Sequence, residues 1–170
     1  MSFHAGSFLV ARPVLVDPNF HESVVLLLEH GIEGAFGLVV NRPAELEGES
    51  QLPFPVYSGG PCQAQGLLML HGHANWAEKK KKKPLQPIAP GIFIGDAATL
   101  KKATDADPDD DHRFRVFVGY SGWGPGQLEK ELQAGAWTIV PADGESLFDI
   151  PVEEIWRRLV PPRIPQPSLN

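Results

Sequence analysis

The chain between Arg113 and Trp137 reads RFRVFVGYSGWGPGQLEKELQAGAW. Apolar residues alternate along its first part, which predicts a strand over Arg113–Tyr120 with one buried face. A glycine-rich bend follows, and Pro125 stands where the first turn of a helix tolerates a residue without an amide hydrogen. Gly135 suits the left-handed conformation that ends a helix. The stretch therefore predicts a strand, a tight bend and a helix that runs to about Ala134.

Similar apolar runs predict the other strands. Ser23–Glu29 is a continuous apolar run of the kind that is buried on both faces of a sheet. With Ala35–Asn41 it forms a predicted hairpin that turns at His30–Gly34. Val56–Ser58 and Gly66–His71 are predicted to pair with each other around a bend. The remaining predicted strands are Gly6–Ala11, Ile92–Ile94 and Trp137–Val140.

Fewer helices than strands are predicted. Ala44–Gln51 is acidic and weakly helical, Ala97–Ala103 follows an N-capping aspartate, and Pro151–Leu159 carries an apolar stripe at helical spacing. Short hairpin-type connections favour an α+β fold with a coiled, mostly antiparallel or mixed sheet and about three or four helices. We expect one domain over residues 1–160, and a proline-rich, extended or disordered tail over residues 161–170.

Composition and charge limit the classes of function. Lysine and arginine number 15 against 21 aspartates and glutamates, so the formal net charge is −6. Tight non-specific binding to phosphate backbones needs a basic surface, which makes nucleic acid an unfavoured partner. The longest aliphatic run, Val24–Leu28, is far too short to span a bilayer, so no membrane contact is expected. A single cysteine, Cys62, and no apparent signal peptide indicate the cytoplasm.

Two charge runs, Lys79–Lys83 and Asp105–Asp111, are interpreted as solvated loops. The aspartate run fails as a calcium-binding loop because Asp110 stands where glycine is required and Val116 where glutamate is required. The lysine run lacks the interleaved aromatic residues of a nucleic-acid site.

Metal and thiol chemistry are equally unsupported by the sequence. His71 and His73 could share a strand face, but no third metal ligand is indicated. Nothing in the sequence shows what would lower the pKa of the Cys62 thiol, and a partly buried neutral thiol is expected. No cofactor or metal is predicted.

The glycine bend invites comparison with phosphate-binding loops, because Gly122, Gly124 and Gly126 stand between a strand and a helix. The Walker pattern needs lysine and then serine or threonine after its last glycine, and Gln127 and leucine stand there instead. Pro125 also removes one amide from the bend. What remains open is a small-anion site at the amides of Gly126 and Gln127. A structural corner across which Trp123 packs is favoured.

Ser121 lies in the pattern Gly119-Tyr120-Ser121-Gly122-Trp123. The nucleophile elbow of hydrolases is G-x-S-x-G, and its last glycine is replaced here by Trp123. No sequence feature pairs a histidine with Ser121. A serine hydrolase is therefore kept only as an alternative.

Several segments together resemble one bacterial family, the AlgH/YqgE-like proteins. The resemblance covers most of the chain in order, and GWGPGQLE is its most specific part. It implies a compact α+β fold, and it brings a label of transcriptional regulator without an established catalytic residue. The lysine run, the aspartate run and Cys62 depart from the family pattern. The matching segments are GSFLVARP (Gly6–Pro13), DPNFHESVVLLLEH (Asp17–His30), GAFGLVVNRP (Gly34–Pro43), YSGGP (Tyr57–Pro61), LMLHG (Leu68–Gly72), GYSGWGPGQLEKELQAGAW (Gly119–Trp137) and LFDIPVEEIW (Leu147–Trp156).

The leading hypothesis is a non-enzymatic regulatory module, monomeric or homodimeric, that binds a small ligand or a protein partner. Its polar turn motifs exceed what packing requires, and we expect them to converge on one surface with Arg42 as the charged contact. The alternatives are a DNA-binding transcriptional regulator and a hydrolase that uses Ser121. The predicted ligand- or partner-binding residues are Asn41, Arg42, Ser58, Gly59, Gly60, Tyr120, Ser121, Trp123, Gly126 and Gln127.

Overall fold

Nine strands form two sheets in the part of the chain that the computed structural model describes, namely residues 3–44, 55–63, 66–73, 87–95, 101 and 113–161. A five-stranded sheet has the order β8-β3-β2-β1-β9, and a four-stranded sheet has the order β4-β7-β5-β6. The strands are β1 (Ser7–Ala11), β2 (Val24–Gly31), β3 (Gly34–Val39), β4 (Val56–Ser58), β5 (Leu68–His71), β6 (Phe93–Gly95), β7 (Phe114–Val118), β8 (Ser121–Trp123) and β9 (Trp137–Pro141).

Every neighbouring pair of strands in the five-stranded sheet is antiparallel. The predicted hairpin is confirmed as β2 and β3, which turn tightly at Ile32 and Glu33. Their register shifts once, between Leu27 and Glu29, so the strands bend near the hairpin end. The first half of β2 is fully buried, as the continuous apolar run predicts.

The four-stranded sheet corrects one prediction. β4 and β5 do not pair with each other; β7 lies between them, parallel to β4 and antiparallel to β5. The predicted pairing of Val56–Ser58 with Gly66–His71 around a bend was therefore wrong. A three-residue strand offers few local contacts, and the strongly apolar β7 provides a longer-range partner for both segments.

The predicted strand Arg113–Tyr120 is shorter than expected, and a strand that was not predicted follows it. β7 ends at Val118, and Gly119 has a φ of +75° that turns the chain toward β8 in the other sheet. A Cβ at Gly119 would lie 2.8 Å from the carbonyl oxygen of Gly60, so the crossing also depends on close backbone contact.

The described helical segments are short. They are α1 (Gln127–Gln133), a π-helical turn (Glu145–Asp149), a 3-10 turn (Val152–Glu154) and α2 (Ile155–Leu159). The predicted last helix is thus divided between the 3-10 turn and α2, and α1 begins after Gly126, whose φ is 73°. No helix in the described ranges is long and apolar enough to cross a membrane.

Several predictions fall outside the described residues. They concern the helix over Ala44–Gln51 apart from Ala44 itself, and the helix over Ala97–Ala103 apart from Lys101, which is helical. The lysine run, the aspartate run and the tail beyond Pro161 also lie outside.

The core has two main layers around the five-stranded sheet. One cluster joins Phe8, Leu26 and Leu38 of this sheet to Leu70 and Phe117 of the other. Because side chains alternate along a strand, the neighbouring residues face the opposite side, where α1 covers them. That second cluster contains Leu9, Val25, Leu27, Trp123, Leu128 and Trp137. The α+β prediction is confirmed, with the strands divided between two sheets.

Candidate functional site

Three polar segments meet where the two sheets approach each other, and we call this place the junction: Asn41–Pro43, Ser58–Cys62 and Gly119–Ser121. Main-chain hydrogen bonds connect the segments in series. The Ser58 amide donates to the Arg42 carbonyl at 2.8 Å, and Cys62 and Tyr120 exchange two bonds at 2.9 and 3.0 Å. The structure therefore brings together residues that lie about 80 positions apart in the sequence.

Gly59 and Gly60 make this close approach possible. The Gly59 amide donates to the Val118 carbonyl, and its own carbonyl accepts from the Val39 amide, each at 2.8 Å. A Cβ at Gly59 would lie 2.5 Å from the carbonyl oxygen of Gly119. A Cβ at Gly60 would lie 2.3 Å from the Ser121 hydroxyl and 2.3 Å from the Tyr120 carbonyl. Two of the predicted binding residues are thus required for packing.

Ser121 is fully buried at this junction, with 0% of its surface exposed. Its hydroxyl donates to the Gly59 carbonyl at 3.0 Å. No histidine in the described ranges is hydrogen-bonded to that hydroxyl. A nucleophile needs access to substrate and an adjacent base, so this geometry gives the hydroxyl a structural role and no support as a nucleophile.

Asn41 and Arg42 fasten the loop that precedes β2. The Asn41 side chain accepts from the Val24 amide and donates to the Glu22 carbonyl, both at 2.9 Å. Glu22 has a φ of 55°, which is uncommon for a residue other than glycine. The Arg42 guanidinium donates to the carbonyls of Asn19 and, at 2.8 Å, His21.

This arrangement affects Arg42 as a candidate ligand contact. Partial burial lowers the pKa of the Arg42 guanidinium, and the nearby Asp17 carboxylate partly opposes that change. Its hydrogen-bond donors are directed at loop carbonyls instead of an open surface. Arg42 therefore shapes one wall of the junction, and its role as the charged contact stays a prediction.

Two open depressions flank β4 at the junction. The larger has a volume of about 460 Å³, and we call it the Tyr57 groove; Asn41, Pro43, Pro55, Tyr57, Val152 and Glu153 line it. The smaller has a volume of about 310 Å³ and is lined by Ser58, Gly60, Pro61, Cys62, Gln63, Val118 and Gly119. Consecutive residues of β4, Tyr57 and Ser58, thus face different depressions, as expected from strand alternation.

The Tyr57 side chain packs against residues of β7. The Tyr57 ring lies 6.0 Å from the Phe117 ring, and the Arg115 guanidinium lies 5.8 Å from the centre of the Tyr57 ring. Burial lowers the pKa of Arg115. Arg115 also donates to the Phe148 carbonyl at 3.2 Å, which places the π-helical turn beside this support.

The other predicted site residues lie on the opposite face of the five-stranded sheet. Trp123 is 6% exposed and packs against Phe20 and Trp137. The Gln127 amide donates to the Gly124 carbonyl at 3.1 Å, so it does not point at a free anion site. Gly126 precedes α1 as its N-cap. The predicted motifs therefore converge only in part: Asn41, Arg42, Ser58, Gly59, Gly60, Tyr120 and Ser121 meet, whereas Trp123, Gly126 and Gln127 lie apart.

Sequence reasoning missed two carboxylates of α1. Oε1 of Glu131 accepts from the indole nitrogens of Trp123 and Trp137, at 3.1 and 2.8 Å. Oε1 of Glu129 lies 3.1 Å from Nε2 of His30, a residue 99 positions away. Helical spacing places such residues on a helix but does not identify partners on a distant strand.

The histidines that were weighed as metal ligands make a different contact. The His73 amide donates to Nδ1 of His71 at 3.2 Å, and the His71 ring stacks on Phe93. Across the described residues, no group of three or more His, Cys, Asp or Glu side chains is arranged to hold a metal ion.

The fold and the junction define an α+β protein with two sheets connected by polar, glycine-rich turns. The family model described as AlgH-like matches residues 8–162. The chain therefore belongs to the AlgH-like family.

Relatives and solved structures agree with this assignment. A UPF0301 protein of Anaeromyxobacter dehalogenans is 35% identical, covering 92% of this chain and 86% of the relative. A UPF0301 protein of Hahella chejuensis is 38% identical, covering 91% and 85%. The solution structure of the AlgH protein from Pseudomonas aeruginosa matches with a TM-score of 0.65 and 31% identity, over 90% of this chain and 85% of that chain.

A crystal structure of protein DIP2367 from Corynebacterium diphtheriae matches with a TM-score of 0.70 over 97% of this chain and 91% of that chain. At 23% identity this likeness concerns the fold alone.

Proposed function

We propose that the protein is a non-enzymatic cytoplasmic module that binds an extended segment of a protein partner in the Tyr57 groove. The observation that carries this proposal is the convergence of the junction segments beside two open depressions. The Ser121 hydroxyl of the predicted elbow is buried and bonded internally to the Gly59 carbonyl. This supports a binding surface over a reaction that uses Ser121.

The shape and chemistry of the groove favour a peptide over an enclosed small molecule. Pro43, Pro55 and Glu153 are exposed, so the groove is open along its rim. Small-molecule sites usually enclose most of the ligand surface. Aromatic side chains in a groove suit extended, proline-containing segments, which lose little conformational entropy on binding, and Tyr57 gives this groove an aromatic wall.

Charge specifies the partner further. Glu153 is the carboxylate on the groove, and the whole chain carries a net charge of −6. A basic residue in the partner segment would be attracted to this rim, and electrostatic complementarity raises association rates and selects partners. The same net charge disfavours direct binding to DNA. A regulatory role would then be exerted through the protein partner.

The test compares protein purified from its own host by native mass spectrometry. Wild type should retain a protein partner, and Glu153→Lys should lose it, because the substitution reverses the charge on the groove. Glu33→Lys is the matched control: it makes the same change at an exposed residue on the β2–β3 turn, outside the groove. It should retain the partner.

Other outcomes contradict the proposal in distinguishable ways. A partner that is kept equally by Glu153→Lys would exclude the groove as its site. A small-molecule adduct in place of a protein would favour the small-ligand hypothesis. Sequence-preferring binding of a DNA duplex at about 0.15 M salt, measured by fluorescence anisotropy, would favour the DNA-binding alternative.

A further inference from the structure

His30, near the end of β2, lies on the α1 side of the five-stranded sheet and has both ring nitrogens engaged. Its side chain is 0% exposed. Nδ1 lies 3.0 Å from the main-chain nitrogen of His4, and Nε2 lies 3.1 Å from Oε1 of Glu129. One imidazole therefore connects the Phe3–Gly6 segment, which leads into β1, to α1.

The contact to His4 defines where the His30 proton resides. A main-chain N–H can only donate, so Nδ1 must present its lone pair, and the neutral ring carries its proton on Nε2. That N–H is directed at the Glu129 carboxylate, which can only accept when ionised. In this tautomer both nitrogens are satisfied.

We propose that His30 is a proton-operated latch: the neutral ring holds the Phe3–Gly6 segment against the sheet, and protonation releases that segment while strengthening the bond to α1. Protonation places a hydrogen on Nδ1, so two donors face each other across the 3.0 Å contact with His4. On the other side the bond becomes a charge-assisted one between imidazolium and carboxylate, which is the stronger type. The two contacts thus respond to acid in opposite directions.

Two ring contacts of the segment depend on the same residue. The His4 ring stacks on His30 with centroids 5.6 Å apart, and the Phe3 ring meets it edge-on at 5.1 Å. Two described main-chain bonds also involve the segment. The Ser7 amide donates locally to the His4 carbonyl at 3.0 Å, and the Gly6 amide donates to the Leu27 carbonyl of β2 at 2.8 Å. Loss of the His4 bond therefore removes a large part of what holds Phe3 and His4 in place.

Titratable groups face His30 from two elements, and their effects on His4 differ: His30 lowers the pKa of His4, whereas the Glu129 carboxylate partly opposes that change. His4 faces His30 from the segment and Glu129 faces it from α1, and its cross-strand neighbour is Ala35. Glu29 and Glu33 line, together with His30, a third depression of about 530 Å³ at the β2–β3 turn. Burial, aided by the proximity of His30, lowers the pKa of His4, so the attached segment favours neutral His4. A pKa lowered on folding means that this stabilisation is present above the unfolded value and is lost as the pH falls below it.

Glu129 keeps its contact with His30 at the pH values where histidine side chains gain a proton. The hydrogen bond from His30 lowers the pKa of the Glu129 carboxyl, so Glu129 stays ionised while histidines titrate. The latch therefore opens only at the His4 side.

The test is amide hydrogen exchange at His4, measured by NMR and corrected for the intrinsic exchange rate. In wild type, exchange should rise at least about tenfold between pH 7.5 and pH 5, because the open form becomes populated. In His30→Asn the side-chain oxygen can accept from His4 at every pH, and most of this rise should disappear. His21→Asn, which removes an exposed histidine in the loop before β2, is the matched control and should keep the full response.

A second variant keeps the test valid if His30→Asn does not fold. Glu129→Gln removes the charge that favours the imidazolium, so the midpoint of release should move to lower pH. A merely structural contact would not move that midpoint. Protection of the His4 amide that is independent of pH in wild type, or an unchanged midpoint in Glu129→Gln, would overturn the proposal.

Discussion

The junction and the α1 face of the five-stranded sheet are held together by different kinds of bond. At the junction, main-chain groups of Arg42, Ser58, Gly59, Cys62 and Tyr120 bond directly to other main-chain groups. On the α1 face, side-chain carboxylates reach across to the sheet: Glu131 accepts from two indoles, and Glu129 contacts His30. A contact made by backbone depends on the absence of side chains, whereas a contact made by carboxylates depends on charge and protonation.

The junction therefore has a fixed shape, whereas the α1 face can respond to changes in protonation. The junction supplies a fixed surface beside the Tyr57 groove, because the main-chain bonds that connect its segments contain no titratable group. On the α1 face, burial lowers the pKa of His4, and the hydrogen bond from His30 lowers the pKa of the Glu129 carboxyl. We therefore expect changes of side-chain volume to damage the junction most, and changes of charge to damage the α1 face most.

The largest effect is expected from Gly60→Ala. Gly60 has a φ of 149°, and the new Cβ would collide with the Tyr120 carbonyl and the Ser121 hydroxyl. Backbone strain and overpacking together should lower the free energy of unfolding by about 3 kcal/mol or more, measured by urea denaturation.

Gly31→Ala is the control for Gly60→Ala, since nothing lies within 4 Å of its Cβ position. It should change stability by less than about 1 kcal/mol. Equal losses in both variants would show that the junction is not closely packed.

An intermediate effect is expected from Glu131→Ala. The substitution leaves the indole nitrogens of Trp123 and Trp137 without their described acceptor, although both side chains are almost fully buried. Loss of these charge-assisted bonds should cost about 2–3 kcal/mol of unfolding free energy, followed by far-UV circular dichroism in urea.

The conservative variant tests whether charge or shape matters at this position. Glu131→Gln keeps an oxygen acceptor, so it should cost less than the alanine substitution. If glutamine were as damaging as alanine, the carboxylate charge would be the larger contribution and the contrast with the junction would be sharper.

The smallest effect is expected from Ser121→Ala. The Gly59 carbonyl loses the serine hydroxyl but keeps its bond from the Val39 amide at 2.8 Å. A loss of about 1 kcal/mol is expected from thermal or urea denaturation, with partner binding unchanged. A loss larger than that of Glu131→Ala would mean that the junction depends on side chains after all. Abolished activity toward an ester substrate would instead restore the hydrolase alternative.

Local sequence patterns predicted the segments that depend on local contacts. The β2–β3 hairpin and the fully buried start of β2 follow directly from an apolar run and a short turn. The last helix was placed correctly, although Val152–Glu154 adopts a 3-10 turn before α2. In these cases the pattern and the final partner lie close together in the chain.

Features that depend on distant partners were not predictable in the same way. β4 pairs with β7 across about 60 residues, which no local pattern around Val56 indicates. β8 is three residues long and exists because Gly119 turns the chain toward β3. The polar motifs of the junction were identified, but the sequence did not show that Asn41 and Arg42 would fasten a loop or that Ser121 would be buried.

The pairing of β1 with β9 has a consequence for synthesis of the protein. Ser7 lies opposite Pro141, so one edge of β1 has no strand partner until β9 has been synthesised. A ribosome adds roughly 5–20 residues per second, so the edge stays open for several seconds. An open edge on an apolar strand is a template for pairing with other chains. The nascent protein should therefore be most prone to aggregation, and most in need of a chaperone, before β9 emerges.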